Sequence, residues 1–409
     1  MKNFGTLFYY ELKKIWSRRL LWAAVALCGA AAALISPIPR YYWDQTFTAV
    51  DAEGNEITRL VTAEEQFRAE IEGSRVLSGQ PMDEAFFQKA RETVPDVGGP
   101  QLHTEAQRAY FYLIDSSYCG AFYQFSGLMD KTAEGFYGFR QRLIEESWNY
   151  GKEYMGQTDE DVAYWERMEE RVEKPFLFQP VQGPSRLMEV LGLLTAAVPL
   201  LVGVCLCDLF SRDRRYRTHP VVASSRRGRG CLFLVKTLAG GVSAMLSVVM
   251  VAGAAVAASL VLYGAWGWDG AIQLGLHTDT CCLPITMGQG VLLLVGLLAL
   301  YALVCGALAS AVSMWTGSGV AALAASTVAA AMCMVLSVYW HPSGVLARVY
   351  DRLPFNFVGW LSLIRHDMTH LFGLRLDWLQ SGTLLYLGVA AAFTVLCWLG
   401  WRRSAVRVG

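Results

Sequence analysis

The chain has 409 residues, of which 54% are hydrophobic and 17% are charged, and its formal net charge is zero. Soluble domains carry about 25% charged residues, so this composition excludes an ordinary soluble domain and indicates that lipid is the solvent for much of the chain. The zero net charge conceals a segregation, because basic and acidic residues lie in different stretches of the chain.

The N-terminal stretch, residues 1–19, predicts a basic amphipathic helix at the membrane surface. Its apolar face carries Phe4, Phe8, Leu12, Ile15 and Trp16. Glu11 is the exception to the pattern, because it falls near that apolar face. An alternative of equal weight is that the basic residues here serve only to orient the first span, which is predicted over residues 20–38.

Residues 39–184 predict a mainly helical extracytoplasmic domain. The segment is acidic, with about a dozen more Asp and Glu than Lys and Arg, and its alternation of charged and aromatic residues is typical of helices around a modest core. Nothing in it has the spacing of a metal or nucleophile site. The predicted helices cover Ala63–Val76, Met82–Thr93, Glu105–Tyr118, Ala133–Trp148 and Glu160–Val172.

Five further spans are predicted within residues 185–409, because each offers the roughly 20 apolar residues needed to cross a hydrocarbon core of about 30 Å. They cover Leu187–Leu206, Thr237–Tyr263, Met287–Val312, Gly317–Tyr339 and Gly382–Trp401. A turn at residues 313–318 must separate the fourth span from the fifth, because the stretch around it contains no charged residue and is too long for one crossing. The predicted fold class is therefore an all-α membrane protein with six transmembrane helices.

Three clusters of basic residues orient these spans. With six spans, all three clusters fall on one side of the membrane, which the positive-inside rule identifies as the cytoplasm. Both termini are therefore predicted to be cytoplasmic. The clusters are Lys2, Lys13, Lys14, Arg18 and Arg19; Arg212, Arg214, Arg215, Arg217, Arg226, Arg227 and Arg229; and Arg402, Arg403 and Arg407.

The loop between the second and third spans, residues 208–236, is the longest predicted cytoplasmic element. Its density of arginine has two explanations. The residues can simply contact anionic lipid headgroups, or they can pair with carboxylates on a protein partner, for which the arginine fork is well suited. Nucleic acid is excluded as a partner, because an inter-span loop offers no element that reads a groove.

The stretch 341–380 is too polar to span and too apolar for a free loop, so short re-entrant helices on the outer side are predicted. Within it, His366 and His370 have the i, i+4 spacing of two zinc ligands, but Asp367 stands where the zinc-protease pattern needs Glu, so interfacial histidines are the favoured interpretation. Outside the membrane, Cys119, Cys281 and Cys282 are either free thiols or contribute one disulfide.

The chain lacks the phosphate-binding loop GxxxxGK[ST], so no nucleotide site is expected. The spans also carry no ionisable residue near the membrane midplane, which disfavours an ion-driven carrier. No catalytic residue, cofactor or metal is predicted, and the chain is not expected to be an enzyme. Energy for any transport must then come from elsewhere.

The layout and one motif resemble the permease subunits of bacterial ABC-2 type transporters. The motif is Ser224-Ser225-Arg226-Arg227-Gly228-Arg229 followed by Lys236, which is similar to a Ser-Ser-x-x-Gly-Arg pattern and downstream Lys in one branch of that family. The resemblance covers the whole chain in layout but only this loop in motif. Family members often carry a Glu near the start of the loop, where this chain has Asp208 or Asp213.

The resemblance implies a permease of an exporter in the bacterial plasma membrane, working as a homodimer or heterodimer with a separate ABC ATPase subunit on an unidentified substrate. It also implies that the loop docks on the ATPase. The rival hypotheses are a non-transporting membrane sensor or scaffold, and a membrane-embedded enzyme. The residues implied in docking are Asp208, Asp213, Arg214, Arg215, Arg226, Arg227, Gly228 and Arg229.

Overall fold

The computed structural model describes residues 4–35, 45–50, 56–61, 78–93, 132–215, 230–275, 278–340, 345–371 and 373–406. Most of these residues are helical. The N-terminal part contains α1 (Phe4–Trp16), α2 (Arg19–Ile35), β1 (Gln45–Val50), β2 (Glu56–Val61), α3 (Glu84–Thr93), α4 (Ala133–Met155) and α5 (Asp159–Glu169). The remainder contains α6 (Gln182–Leu206), α7 (Ser211–Arg215), α8 (Cys231–Tyr263), α9 (Met287–Thr316), α10 (Gly319–Tyr339), α11 (Val345–Asp351), α12 (Pro354–Val358), β3 (Met368–Leu371), β4 (Leu374–Asp377) and α13 (Trp378–Val406).

Five of these helices, α6, α8, α9, α10 and α13, are long and apolar enough to cross a membrane. The pair α1 and α2 passes the same test together but is bent by 65°, so the count becomes six if this pair makes one crossing. The class predicted from the sequence, an all-α membrane protein with several spans, is therefore confirmed, whereas the number six depends on how the bent pair is counted.

The spans form one bundle built around α6 and α9. Helix α9 contacts α6, α8, α10 and α13, and α6 also contacts α2, α8 and α10. Helix α1 lies along α8. At the periphery, α10 turns apolar side chains such as Val320 and Val328 outward, as expected of a helix that faces lipid or another membrane helix.

Between α10 and α13, residues 345–371 and 373–377 fold back onto the bundle. They contain the short helices α11 and α12, a 3-10 helix at Trp360–Ile364, and an antiparallel hairpin of β3 and β4. Helix α12 contacts α6, α9 and α10, and the Phe357 ring is fully buried against Trp378 and Tyr386 of α13. Short helices were predicted for this stretch, but the hairpin was not.

The close approach of α12 to α13 depends on a glycine at position 382. A Cβ atom at this position would overlap the buried Phe357 ring, which cannot swing into open space. We expect Gly382→Ala to lower the free energy of unfolding by about 1–3 kcal/mol, the usual cost of overpacking, and to lower the Tm of the detergent-purified protein. The matched control is Gly388→Ala on the same helix, where a Cβ meets no atom within 4 Å; equal losses in the two variants would contradict this packing.

The domain predicted between the first two spans is only partly described. The predicted helix at Ala133–Trp148 is confirmed and extends to Met155 as α4, and the helix predicted from Glu160 is α5, which begins with a capping box at Thr158 and Asp161. The predictions over Ala63–Val76 and Glu105–Tyr118 lie outside the described residues. The hairpin of β1 and β2 departs from the prediction of helices alone.

Candidate functional site

One end of the bundle, which we call the loop end, gathers the junction of α1 and α2, the end of α6, the start of α8 and the end of α13. Arg18 Nη1 donates to the Cys205 carbonyl at the end of α6, at 3.3 Å, and Trp16 Nε1 donates to Ser243 Oγ on α8, at 3.2 Å. The Phe210 and Trp401 rings pack edge to face. The described members of the three predicted basic clusters therefore lie at one end of the molecule.

Helix α7, which begins the predicted loop, is fixed to α9 by one serine. Ser313 Oγ accepts from the Ser211 backbone N–H at 3.1 Å and donates to the Cys207 carbonyl at 2.9 Å. A carbonyl at the end of α6 and an amide at the start of α7 are thereby satisfied, although neither has a partner within its own helix. The first turn of the loop is thus held against the bundle.

Lys236 lies at the centre of the loop end, where it joins three helices. Its Nζ lies 2.6 Å from Asp213 Oδ2 on α7 and 3.7 Å from Glu11 Oε2 on α1, and its own helix is α8. It also donates to the Leu209 carbonyl at 3.4 Å. Only 4% of the Lys236 side chain is exposed, so this is a buried ion cluster.

The same cluster explains why the charged Glu11 lies on the apolar face of α1. The sequence pattern marked it as the residue that spoils the apolar face of α1, and the structure shows it buried there, with Oε1 bonded to Lys14 Nζ at 2.6 Å and Oε2 facing Lys236. A buried carboxylate is tolerated when it is paired in this way. We call Glu11, Asp213 and Lys236 the root triad.

The predicted docking residues fall into three groups. Asp213 belongs to the root triad, and Asp208 Oδ1 accepts from Ser211 Oγ at 3.4 Å. The backbones of Arg214 and Arg215 lie in α7. The other four, Arg226, Arg227, Gly228 and Arg229, lie outside the described residues. Lys236 and Glu11 were not among the predicted site residues, although the misplaced charge of Glu11 was a usable signal.

The opposite end of the bundle, which we call the domain end, carries α4 and α5. Its centre is Arg140, whose Nη1 and Nη2 both bond the carboxylate of Glu169 while Nη2 also donates to the Cys281 carbonyl at 2.9 Å. Its Nε donates to the Asp279 carbonyl at 2.7 Å. Arg140 therefore ties α4 and α5 to the segment that connects α8 to α9.

The structure gives the two histidines of the motif around His366 different surroundings. Residues 365–367 belong to no helix and lead into β3, so His366 and His370 do not share a helical face. His366 Nε2 lies 3.2 Å from Cys282 Sγ, whereas His370 Nε2 lies 2.9 Å from Asp161 Oδ2. Among the described residues, no group of three or more His, Cys, Asp or Glu is placed to hold a metal ion.

Two of the three cysteines for which the sequence left a disulfide open are free thiols in the structure. Cys281 and Cys282 are both buried and neither forms a disulfide, while Cys119 lies outside the described residues. Burial raises the pKa of Cys281 to about 12, so this thiol stays protonated at neutral pH. The sequence left open whether these cysteines are free thiols or contribute to a disulfide, and for Cys281 and Cys282 the structure shows free thiols.

Acid should destabilise the domain end through His366. Burial lowers the pKa of His366 from 6.5 to about 4, so between these values the unfolded chain binds a proton that the folded chain does not. The contribution of neutral His366 to the free energy of unfolding is therefore fully present above about pH 6.5. It is lost as the pH falls through 4, and the loss amounts to about 3 kcal/mol in all.

This pH dependence is measured by thermal unfolding of the purified protein from about pH 7 to about pH 4.5. We expect the Tm of His366→Gln to fall less steeply with acid than that of the unmodified chain. The control is His370→Gln, which leaves His366 in place and should keep the steep profile. Parallel profiles for His366→Gln and the unmodified chain would contradict the assignment.

The fold and its two ends define a polytopic, all-α membrane protein. No protein-family model, curated protein or solved structure matches the chain.

Proposed function

We propose that this chain is the permease subunit of an ABC-2 type ATP-driven exporter, coupled to a separate ATPase subunit that docks on the loop after the second span. The observation that carries the proposal is the root triad. A loop that only orients the chain needs basic residues but no buried ionic anchor. A loop that transmits force from a partner to the spans needs a rigid attachment, and Lys236 attaches α7 to both α1 and α8.

In this proposal the loop end faces the cytoplasm and the domain end faces outward. The described basic residues of the first and last clusters, such as Arg18 and Arg403, support this orientation, because positive charge collects at the cytoplasmic ends of spans. Two copies, or one copy and a related chain, would form the path for a substrate that stays unidentified. The exposed apolar faces of α10 and α13 are suited to lipid and to such a partner.

The docking role is tested by replacing Arg226, Arg227 and Arg229 together by Lys. This exchange keeps the positive charge that orients the spans but removes the planar fork that pairs with carboxylates in a bidentate manner. We expect the variant to insert normally and to retain less ATPase on purification from native membranes, because losing one side of a buried charged contact costs about 2–5 kcal/mol.

In a second variant the same three residues are replaced by Ser, and its result can contradict the docking role of the loop. If its topology is intact and it copurifies as much ATPase as the unmodified chain, the loop is not the docking surface. Topology is checked with a cytoplasmic reporter fused after Gly409, which should be active, and with the same reporter inserted near Gly98, which should be inactive.

A further inference from the structure

A small polar cleft lies at the domain end, between α5, the hairpin of β3 and β4, and the first turn of α13. Its volume is about 150 Å³. Two polar contacts join the hairpin to α5: His370 Nε2 lies 2.9 Å from Asp161 Oδ2, and Arg375 pairs with Glu160. The two walls of the cleft are therefore fixed relative to each other.

The described residues that line the cleft carry charges of both signs. Glu160 and Asp377 supply two carboxylates, and Arg167 and Arg375 supply two guanidinium groups. A ligand that is only an anion would meet two like charges here, and so would a ligand that is only a cation. The lining therefore fits a ligand that carries a positive group and a negative group close together.

The charged groups of the cleft keep hydrogen-bonding capacity for such a ligand. Asp377 Oδ2 accepts from the Tyr164 hydroxyl at 3.4 Å, and Asp377 Oδ1 accepts from the Gln380 backbone N–H at 2.7 Å. A carboxylate has about four lone-pair sites, so Asp377 can also accept from an ammonium group. Arg167 is exposed, and its guanidinium group can donate to an anion.

The size and position of the cleft narrow the class of ligand. Pockets for drug-sized ligands enclose about 300–1,000 Å³, so this cleft admits only a small group. The cleft also adjoins the start of α13, which begins at Trp378, directly after Asp377, and is long and apolar enough to cross a membrane. The ends of membrane spans lie at the depth of the lipid headgroups.

We propose that the cleft binds a phosphoethanolamine group, supplied as the headgroup of a phospholipid, with the ammonium group at Asp377 and the phosphate at Arg167. Charge-assisted hydrogen bonds of both kinds are strong, and arginine is suited to phosphate. A choline headgroup carries the same two charges but has no N–H to donate to Asp377. The proposal requires that α13 spans the membrane and does not depend on whether the chain transports a substrate.

The test is native mass spectrometry of the full-length, detergent-purified chain, titrated with phosphatidylethanolamine, phosphatidylcholine or phosphatidylglycerol. The variants Arg167→Gln and Asp377→Asn each remove one charge of the cleft. Both should fold, because Arg167 is exposed and Asn caps a helix start about as well as Asp. The controls, Arg142→Gln and Glu166→Gln, remove exposed charges outside the cleft, and thermal unfolding verifies the fold of all four variants.

We expect the unmodified chain to bind phosphatidylethanolamine more tightly than the other two lipids. Each cleft variant should weaken that binding by about tenfold, the effect of losing one charge-assisted hydrogen bond, while the controls match the unmodified chain. Asp377→Asn should leave the binding of phosphatidylglycerol unchanged, because this lipid has no ammonium group. Equal affinity of the cleft variants and the controls for phosphatidylethanolamine would overturn the proposal, and so would equal affinity of the unmodified chain for the three lipids.

Free phosphoethanolamine, which has no acyl chains, distinguishes a lipid from a soluble ligand. We expect it to bind the unmodified chain more weakly than phosphatidylethanolamine does, because the acyl chains of the lipid add apolar contact beside α13. If free phosphoethanolamine binds as tightly as the lipid, and both cleft variants lose this binding, the headgroup chemistry of the site is supported but its assignment to a lipid is overturned.

Discussion

Replacement of Lys236 by Met should lower the free energy of unfolding by about 3–5 kcal/mol, the cost of removing one partner from a buried ion pair. The reason is that Glu11, with 5% of its surface exposed, and the largely buried Asp213 would both lose the cation between them. The measurement is thermal or denaturant unfolding of the detergent-purified protein. Because the triad joins α1, α7 and α8, the change should also release the start of the loop, seen as faster hydrogen exchange in α7.

The matched control is Lys14→Met, which removes another cation that contacts Glu11. The Lys14 side chain is 54% exposed while Glu11 is buried, so water can take the place of Lys14 beside Glu11 and the loss should be near the roughly 0–1 kcal/mol of an exposed pair. A small effect of Lys14→Met beside a large effect of Lys236→Met is therefore expected. Similar effects of the two variants would show that the root triad is not a buried anchor.

Arg140→Met should destabilise the domain end by a similar amount, about 3–5 kcal/mol. Arg140 is 2% exposed and is bonded to Glu169 and to the carbonyls of Asp279 and Cys281. Without it, Glu169 keeps Lys174 as a cation, at 2.8 Å and with a side chain that is 37% exposed, and two buried carbonyls lose a charged donor.

The effect of Arg140→Met should depend on pH. Burial raises the pKa of Glu169, but hydrogen bonds and charge from Arg140 and then Lys174 outweigh burial and bring it below its usual value. A lowered pKa stabilises the fold above the unfolded value and the gain is lost in acid, so the variant should differ most from the unmodified chain near neutral pH. Arg142→Met, at an exposed position on the same helix, is the control and should change little; an equal loss would contradict the role of Arg140.

The membrane-spanning helices were predictable because their signal is local. The end of α8 at Tyr263, the start of α9 at Met287 and the end of α10 at Tyr339 match the predicted spans. The predictions fell short where polar residues continue a helix beyond its apolar core. Helix α8, for example, begins at Cys231 rather than Thr237. The predicted span stopped at the charged Lys236, which the structure buries within the helix.

The sites were not predictable, because they depend on pairs far apart in the chain. The root triad joins Glu11 to Lys236, and Arg140 meets carbonyls at positions 279 and 281. The break in periodicity at Glu11 marks one member as unusual, but composition and periodicity do not identify the residues that it contacts. The hairpin of β3 and β4 is also short, four residues a strand, which is too short for an alternating pattern to be distinguished from a helix end.

The central claim is that a nucleotide-binding partner docks at the loop end, and site-specific photo-crosslinking in native cells tests it most directly. A photoreactive residue at Arg212, which is exposed at the start of the loop, should capture a protein that contains a phosphate-binding loop, identified by mass spectrometry. The same residue at Asp159, whose side chain is 94% exposed at the domain end, should capture none. Capture of no nucleotide-binding protein at Arg212, in a chain whose topology is verified, would contradict the account.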